Sequence, residues 1–154
     1  MMNNGLNSRK VIVFQLREEE YAIDVQQVGS IERMVPITRV PQVSNFIKGV
    51  INLRGVIIPV IDLQQRFGLG ALEINDSTRI IIVRIEEMNV GLIVDSANDV
   101  LDIPMDMIES TPEVIGSVKD DYLEGVAKID NRLLILLDIS KVLYQEKLEE
   151  LAEG

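Results

Sequence analysis

The chain has 154 residues, 47% of them hydrophobic, so it can bury a core without staples, and an aromatic content of 4% makes that core aliphatic. Cysteine and histidine are both absent, which excludes disulfides, thiol nucleophiles, zinc sites of the usual nitrogen–sulfur kind and every histidine-based triad. A net charge of −10 disfavours sequence-independent binding to nucleic acid, and the charge-free stretches fall far short of the ~20 apolar residues needed to span a bilayer.

The polar start, 1–10, leads directly into a strand-like run and shows no signal-peptide pattern, so the expectation is a soluble cytoplasmic protein. Short Val- and Ile-rich segments follow one another along the chain. The first two, 10–16 (KVIVFQL) and 20–25 (EYAIDV), predict strands. Over 25–32 the stripe of Val25, Val28 and Ile31 predicts a short helix. Strands are then expected at 47–53 (IKGVINL) and 56–61 (VIIPVI), joined by a tight turn at Arg54–Gly55. A helix over 62–67 has Asp62 as its N-cap and ends at Gly68. Beyond it lie strands at 79–85 (RIIIVRI) and 90–94 (VGLIV), then an acidic stretch containing Asp95, Asp99, Asp102, Asp106 and Glu109. Strands at 123–129 (LEGVAKI) and 133–137 (LLILL) flank a hairpin turn at Asp130–Asn131, and a helix over 140–153 closes the chain.

The second half repeats the first. Phe46, Gly49, Val50, Asp62 and Leu63 recur as Tyr122, Gly125, Val126, Asp138 and Ile139, each 76 residues later. Upstream, 10–14 recurs at 79–83, Val25 at Val94 and Ile31 at Val100, each 69 residues later. The second copy therefore carries seven more residues, placed around 111–121. The paired Gly and Asp positions hold one register, which chance similarity between Val/Ile runs does not explain. Two units of short strands close most readily into small barrels. Several strands are apolar on both faces, Ile12, Phe14 and Leu16 opposing Val11 and Val13 in one case. One face fills the unit's own barrel, and packing of the two halves together is the expected cover for the other.

Charge is uneven. Residues 1–78 carry eight basic and eight acidic side chains, whereas 79–154 carry seven and seventeen. Catalytic signals are sparse. Gly68-Leu-Gly70 lacks the lysine of a phosphate loop, and the acidic stretch does not have calcium-loop spacing, so it reads as a solvated face. A carboxylate-dependent hydrolase is the enzyme-class alternative, and a deep pocket gathering two carboxylates would favour it.

Arg39-Val-Pro41, followed by Phe46-Ile-Lys-Gly-Val-Ile-Asn-Leu-Arg-Gly-Val-Ile-Ile-Pro-Val-Ile-Asp-Leu63, closely resembles the hallmark of the CheW family, the coupling proteins of bacterial chemotaxis. The resemblance extends from about residue 10 to 143. It implies a mainly β fold of two tandem five-stranded SH3-like barrels within a single domain over 1–154. Subdomain 1 would span about 10–70 and subdomain 2 about 79–138, with short helices and a C-terminal helix over 140–153. It implies no catalysis and no cofactor. Such proteins join the cytoplasmic hairpin tips of chemoreceptors to the regulatory domain of the histidine kinase CheA, in arrays at the membrane that regulate autophosphorylation. A chain of this length holds neither a receiver nor a kinase domain, which favours the stand-alone adaptor over the other proteins that share the module. The resemblance also implies a protein that is monomeric on its own and neither binds nucleic acid nor inserts into membrane.

By the same resemblance, receptor contacts fall on Val28, Ser30, Ile31, Glu32, Gly49 and Arg54, and Glu32 is also an intrachain alternative partner for Arg54. Ser30 departs from the acidic residue often found there. Glycines beside turns also meet backbone needs, which gives Gly49 a structural reading of its own. The kinase would use the ends of both barrels, one nearly neutral and one acidic.

Overall fold

The computed structural model describes residues 7–41, 45–109 and 122–143, and in them strands dominate. In chain order these are β1 (Ser8–Leu16), β2 (Glu19–Asp24), β3 (Val28–Arg33), β4 (Ile47–Leu53), β5 (Val56–Asp62), β6 (Arg79–Ile85), β7 (Met88–Val94), β8 (Ser96–Pro104), β9 (Ile108–Glu109), β10 (Leu123–Ile129) and β11 (Arg132–Leu137). Two single-turn helices, α1 (Leu63–Arg66) and α2 (Ile139–Val142), follow β5 and β11. All eight strands expected from the sequence form, with ends shifted by at most two residues.

The expected helix over 25–32 does not form. Only Val25–Gln27 makes a 3₁₀ turn, and Val28, Ser30, Ile31 and Glu32 lie on strand β3. Burial in β3 alternates residue by residue, the period of a strand with one face covered, and its partner β6 supplies the ladder. Val28 and Ile31, three apart, would share a face on a helix but lie on opposite faces of the strand. The acidic stretch is mostly strand β8, which pairs with β1 along its length, and Asp99, Asp102, Asp106 and Glu109 are exposed, the solvated face that the sequence suggested. Of the expected helix over 140–153, the described part is α2; positions 144–153 lie outside the described residues.

Two sheets result, with strand orders β8-β1-β2-β11-β10-β9 and β3-β6-β7-β5-β4. Each curls back on itself because the chain that leaves one edge strand returns to the opposite edge. After β8 it turns and becomes β9 beside β10; after β3 it reaches Thr38, which exchanges two backbone hydrogen bonds with Val50 of β4 at 2.8 and 2.9 Å. The sheets do not follow the halves 10–70 and 79–138. Strands β1 and β2 belong to the sheet of the second half, and β6 and β7 to the sheet of the first.

Each barrel holds a small aliphatic interior. Val11, Val13, Ala22, Ile103, Ala127, Leu134 and Leu136 fill one, and Ile51, Ile58, Val60, Ile80, Ile82 and Ile93 the other. The largest cluster takes residues from both sheets, among them Ile12, Phe14, Ile23, Ile61, Ile81, Leu92, Ile135 and Leu137. The second apolar face of the strands is thus covered by the sister barrel, as the sequence implied. Phe14, Tyr21, Phe67 and Tyr122 form a column with successive ring centroids 5.6–5.8 Å apart. At its end the Arg66 guanidinium lies 5.0 Å from the centroids of both Phe46 and Tyr122 and donates from Nε to the Val142 carbonyl of α2 at 3.0 Å. This cation joins the two halves and is not a free surface charge.

Candidate functional site

Strand β3 and the β4–β5 turn meet at one end of the first barrel. The turn is tight, with Arg54 at φ 52° and Gly55 at φ 88°, and the Asn52 side chain accepts from the Gly55 amide at 2.8 Å. From this tip the Arg54 guanidinium reaches Glu32 on β3, with Nη2 donating to Oε2 at 3.0 Å. Ser30 and Glu32 are two apart on a strand and so share a face. The Ser30 hydroxyl, and next the Arg54 guanidinium, hold the Glu32 carboxyl below the usual carboxylate range. Arg54 remains 71% exposed in this pair, so most of its donor fork faces solvent.

The structure therefore brings Ser30, Glu32 and Arg54 into one polar chain and puts Ile31, 39% exposed, on the opposite face of β3. Val28 is half-buried and packs against the core shared by the barrels. Gly49 is not on this surface. It is buried at φ +143°, and a Cβ there would run into the Thr38 carbonyl where the chain crosses β4 to close the barrel. Gly125, its counterpart 76 residues later, meets the Glu109 carbonyl in the same way. The glycine pairs that reveal the duplication are the places where each barrel shuts.

Two exposed aliphatics escape a sequence reading. Val56 and Ile57, 51% and 60% exposed, begin β5 just after the Arg54–Gly55 turn. Strand β7 pairs only with Val60–Asp62, so the start of β5 projects beyond its neighbour. Within the run VIIPVI nothing marks where that pairing ends. This end of the barrel thus carries the Arg54–Glu32 ion pair and, apart from it, exposed branched aliphatics at Ile31, Val56 and Ile57, a composition found where proteins grip one another.

An open, mostly polar cleft of about 790 Å³ lies where the barrels meet, lined among others by Arg17, Gln64, Glu73, Asp76, Arg79 and Asp95. Carboxylates do gather here, but Asp95 accepts the Arg17 amide at 2.6 Å, and the Arg17 guanidinium donates to the Leu69 carbonyl at 3.1 Å. Arg79 donates to the Asp76 and Thr78 carbonyls at 2.9 and 2.8 Å. These contacts hold the connecting segment between the halves. A wide, hydrated cleft of this kind gives carboxylates little of the water-excluded setting that acid–base catalysis uses.

A family model described as the CheW-like domain matches residues 10–147. The chain is 50% identical over 137 residues to the chemotaxis protein CheW of Bacillus subtilis (strain 168), covering 89% of this chain and 88% of that protein. It is 36% identical over 140 residues to the chemotaxis protein CheW of Klebsiella aerogenes, covering 91% and 84% respectively. The crystal structure of the scaffolding protein TtCheW from Thermoanaerobacter tengcongensis superposes with a TM-score of 0.83 at 39% identity, covering 91% of this chain and 90% of that one.

Proposed function

The chain belongs to the CheW family, and from that premise we propose that it is a non-enzymatic coupling protein of chemotaxis, joining the cytoplasmic hairpin tips of chemoreceptors to the regulatory domain of the histidine kinase CheA. The observation that carries this reading is the match, over 89% and 91% of this chain, to proteins named for chemotaxis and scaffolding. Val28, Ser30, Ile31, Glu32 and Arg54 form the receptor side, with Gly49 acting beneath it by closing the barrel. The exposed Arg54 fork takes a receptor carboxylate while Ile31 takes an apolar side chain from the hairpin. Coupling is conformational: a partner that binds one state of the assembly shifts the population the kinase samples. The protein acts in the cytoplasm as a single domain, monomeric until recruited to receptor arrays, and it works without a cofactor.

Calorimetric titration with the CheA regulatory domain and, separately, with a receptor hairpin-tip fragment tests this. Binding to both, with Arg54→Ala weakening the receptor about tenfold and leaving the kinase unchanged, is the expected result; one charge-assisted hydrogen bond is worth about that much. Absence of binding to either partner would remove the assignment.

A further inference from the structure

The offsets that reveal the duplication also show that the halves trade strands. Strands β1 and β2 of the first half pair with β8 and β11 of the second, while β6 and β7 of the second pair with β3 and β5 of the first. The trade is reciprocal and holds one register. The rung Ile12↔Val100 is the counterpart of Ile81↔Ile31, and Ala22↔Leu136 is the counterpart of Gly91↔Val60. Each half gives away its first hairpin and receives its sister's in the same slot. This is the geometry of a domain-swapped dimer whose two protomers have been joined end to end.

Side chains reinforce the donated hairpin. Arg132 of the second half forks onto Glu20 of β2 with hydrogen bonds of 3.0 and 2.8 Å, and Arg9 of β1 lies 2.7 Å from Glu124. By contrast, the connection between the halves runs over the surface, with Gly70, Ala71 and 73–77 exposed. The fold thus rests on complementary surfaces, and the link serves to keep each half at a high effective concentration for its own sister.

We propose that the surface between the halves is an interaction surface whose partner is a second copy of this chain: residues 8–67 of one copy are completed as well by 78–143 of another copy as by their own. In the intact chain the link makes self-completion the dominant outcome. Once the link is cut, the two completions become equivalent.

The test uses the full chain with a protease recognition sequence inserted between Ile74 and Asn75, folded and then cleaved. The cleaved protein is expected to elute as one species of native size, and its unfolding midpoint should rise with protein concentration, as it must when two chains fold together. Heavy- and light-isotope preparations, cleaved, mixed, unfolded and refolded together, should give hybrid pairs in statistical proportion by native mass spectrometry. Separation or precipitation of the fragments on cleavage would overturn the proposal. So would a midpoint independent of concentration, with each half melting alone, or recovery of parental pairs without hybrids.

Discussion

Two glycines on the same strand pair separate fold from contact. At Gly49 a side chain faces both a left-sided φ of +143° and the Thr38 backbone, neither of which can give way without opening the barrel. Gly49→Ala is therefore expected to cost roughly 3–5 kcal/mol. Gly55, at φ 88° with open space around it, should cost only about 1–2 kcal/mol as alanine. Denaturant titration of the two variants checks the ordering. Any loss of receptor binding in Gly49→Ala should then scale with the loss of folded protein, whereas in Arg54→Ala binding should fall while stability stays within about 0.5 kcal/mol, because the Arg54 side chain is largely exposed. The ion pair also has a pH signature. The folded Glu32 carboxyl titrates below its ordinary range, so the stability it contributes is present above the unfolded-state pKa and is lost as pH falls through the folded value. Arg54→Ala should move the Glu32 midpoint upward while leaving the Ser30 hydrogen bond in place, as read from the carboxyl carbon shift by NMR. An unmoved midpoint would mean that Arg54 does not hold Glu32 in solution.

At the scale of elements, sequence and structure agree wherever the local signal is redundant. Asp62 and Asp138 stand 76 residues apart and cap α1 and α2 alike, Asp62 accepting from the Gln65 amide at 3.0 Å and Asp138 from the Ser140 amide at 3.1 Å. Yet the caps are not equal. Asp62 is buried and its second oxygen accepts the Leu72 amide at 2.9 Å, which pins the segment leading out of the first half. Asp62→Ala should cost about 2–4 kcal/mol because the Gln65 and Leu72 amides it strands are partly buried, against about 1 kcal/mol for Asp138→Ala, whose partners, the Ser140 and Lys141 amides, are exposed to water, and thermal unfolding of the pair measures the difference. Strand β3 was hidden because its apolar residues, Val28 and Ile31, stand three apart as in a helical stripe, while its covered side also takes the polar Ser30 and Glu32. Strand β8 was hidden because Asp99 and Asp102 read as a hydrated run. In the fold Asp99 sits 3.0 Å from Arg132, a partner 33 residues away that local sequence does not reveal. The residues proposed for the receptor side were suggested only by family resemblance. Their geometry, a polar chain on one face of β3 and an aliphatic on the other, follows from the strand that replaced the expected helix.

At the scale of the whole molecule, the duplication was legible and the exchange of hairpins was not, and one physical reason covers both. The sister hairpins carry the same apolar alternation in the same register, so that alternation alone does not state which sheet a hairpin joins. That choice has an energetic consequence. Contiguous barrels would each keep a private core and could unfold separately. Here the first half supplies Phe14, Tyr21 and Phe67 to an aromatic column that ends on Tyr122 of the second, and the largest aliphatic cluster spans both sheets. Removing β1 and β2 from their slot would expose Val11, Val13 and Ala22 on one face and Ile12, Phe14 and Ile23 on the other, so neither barrel survives the loss of the other's hairpin. The intact chain should therefore unfold in one cooperative step. Tyrosine fluorescence, which follows the column between the barrels, and far-ultraviolet circular dichroism, which follows the strands, should give coincident denaturant transitions. Two separated transitions would show that the barrels are stable apart, and the conformational coupling proposed between receptor and kinase would then need another basis.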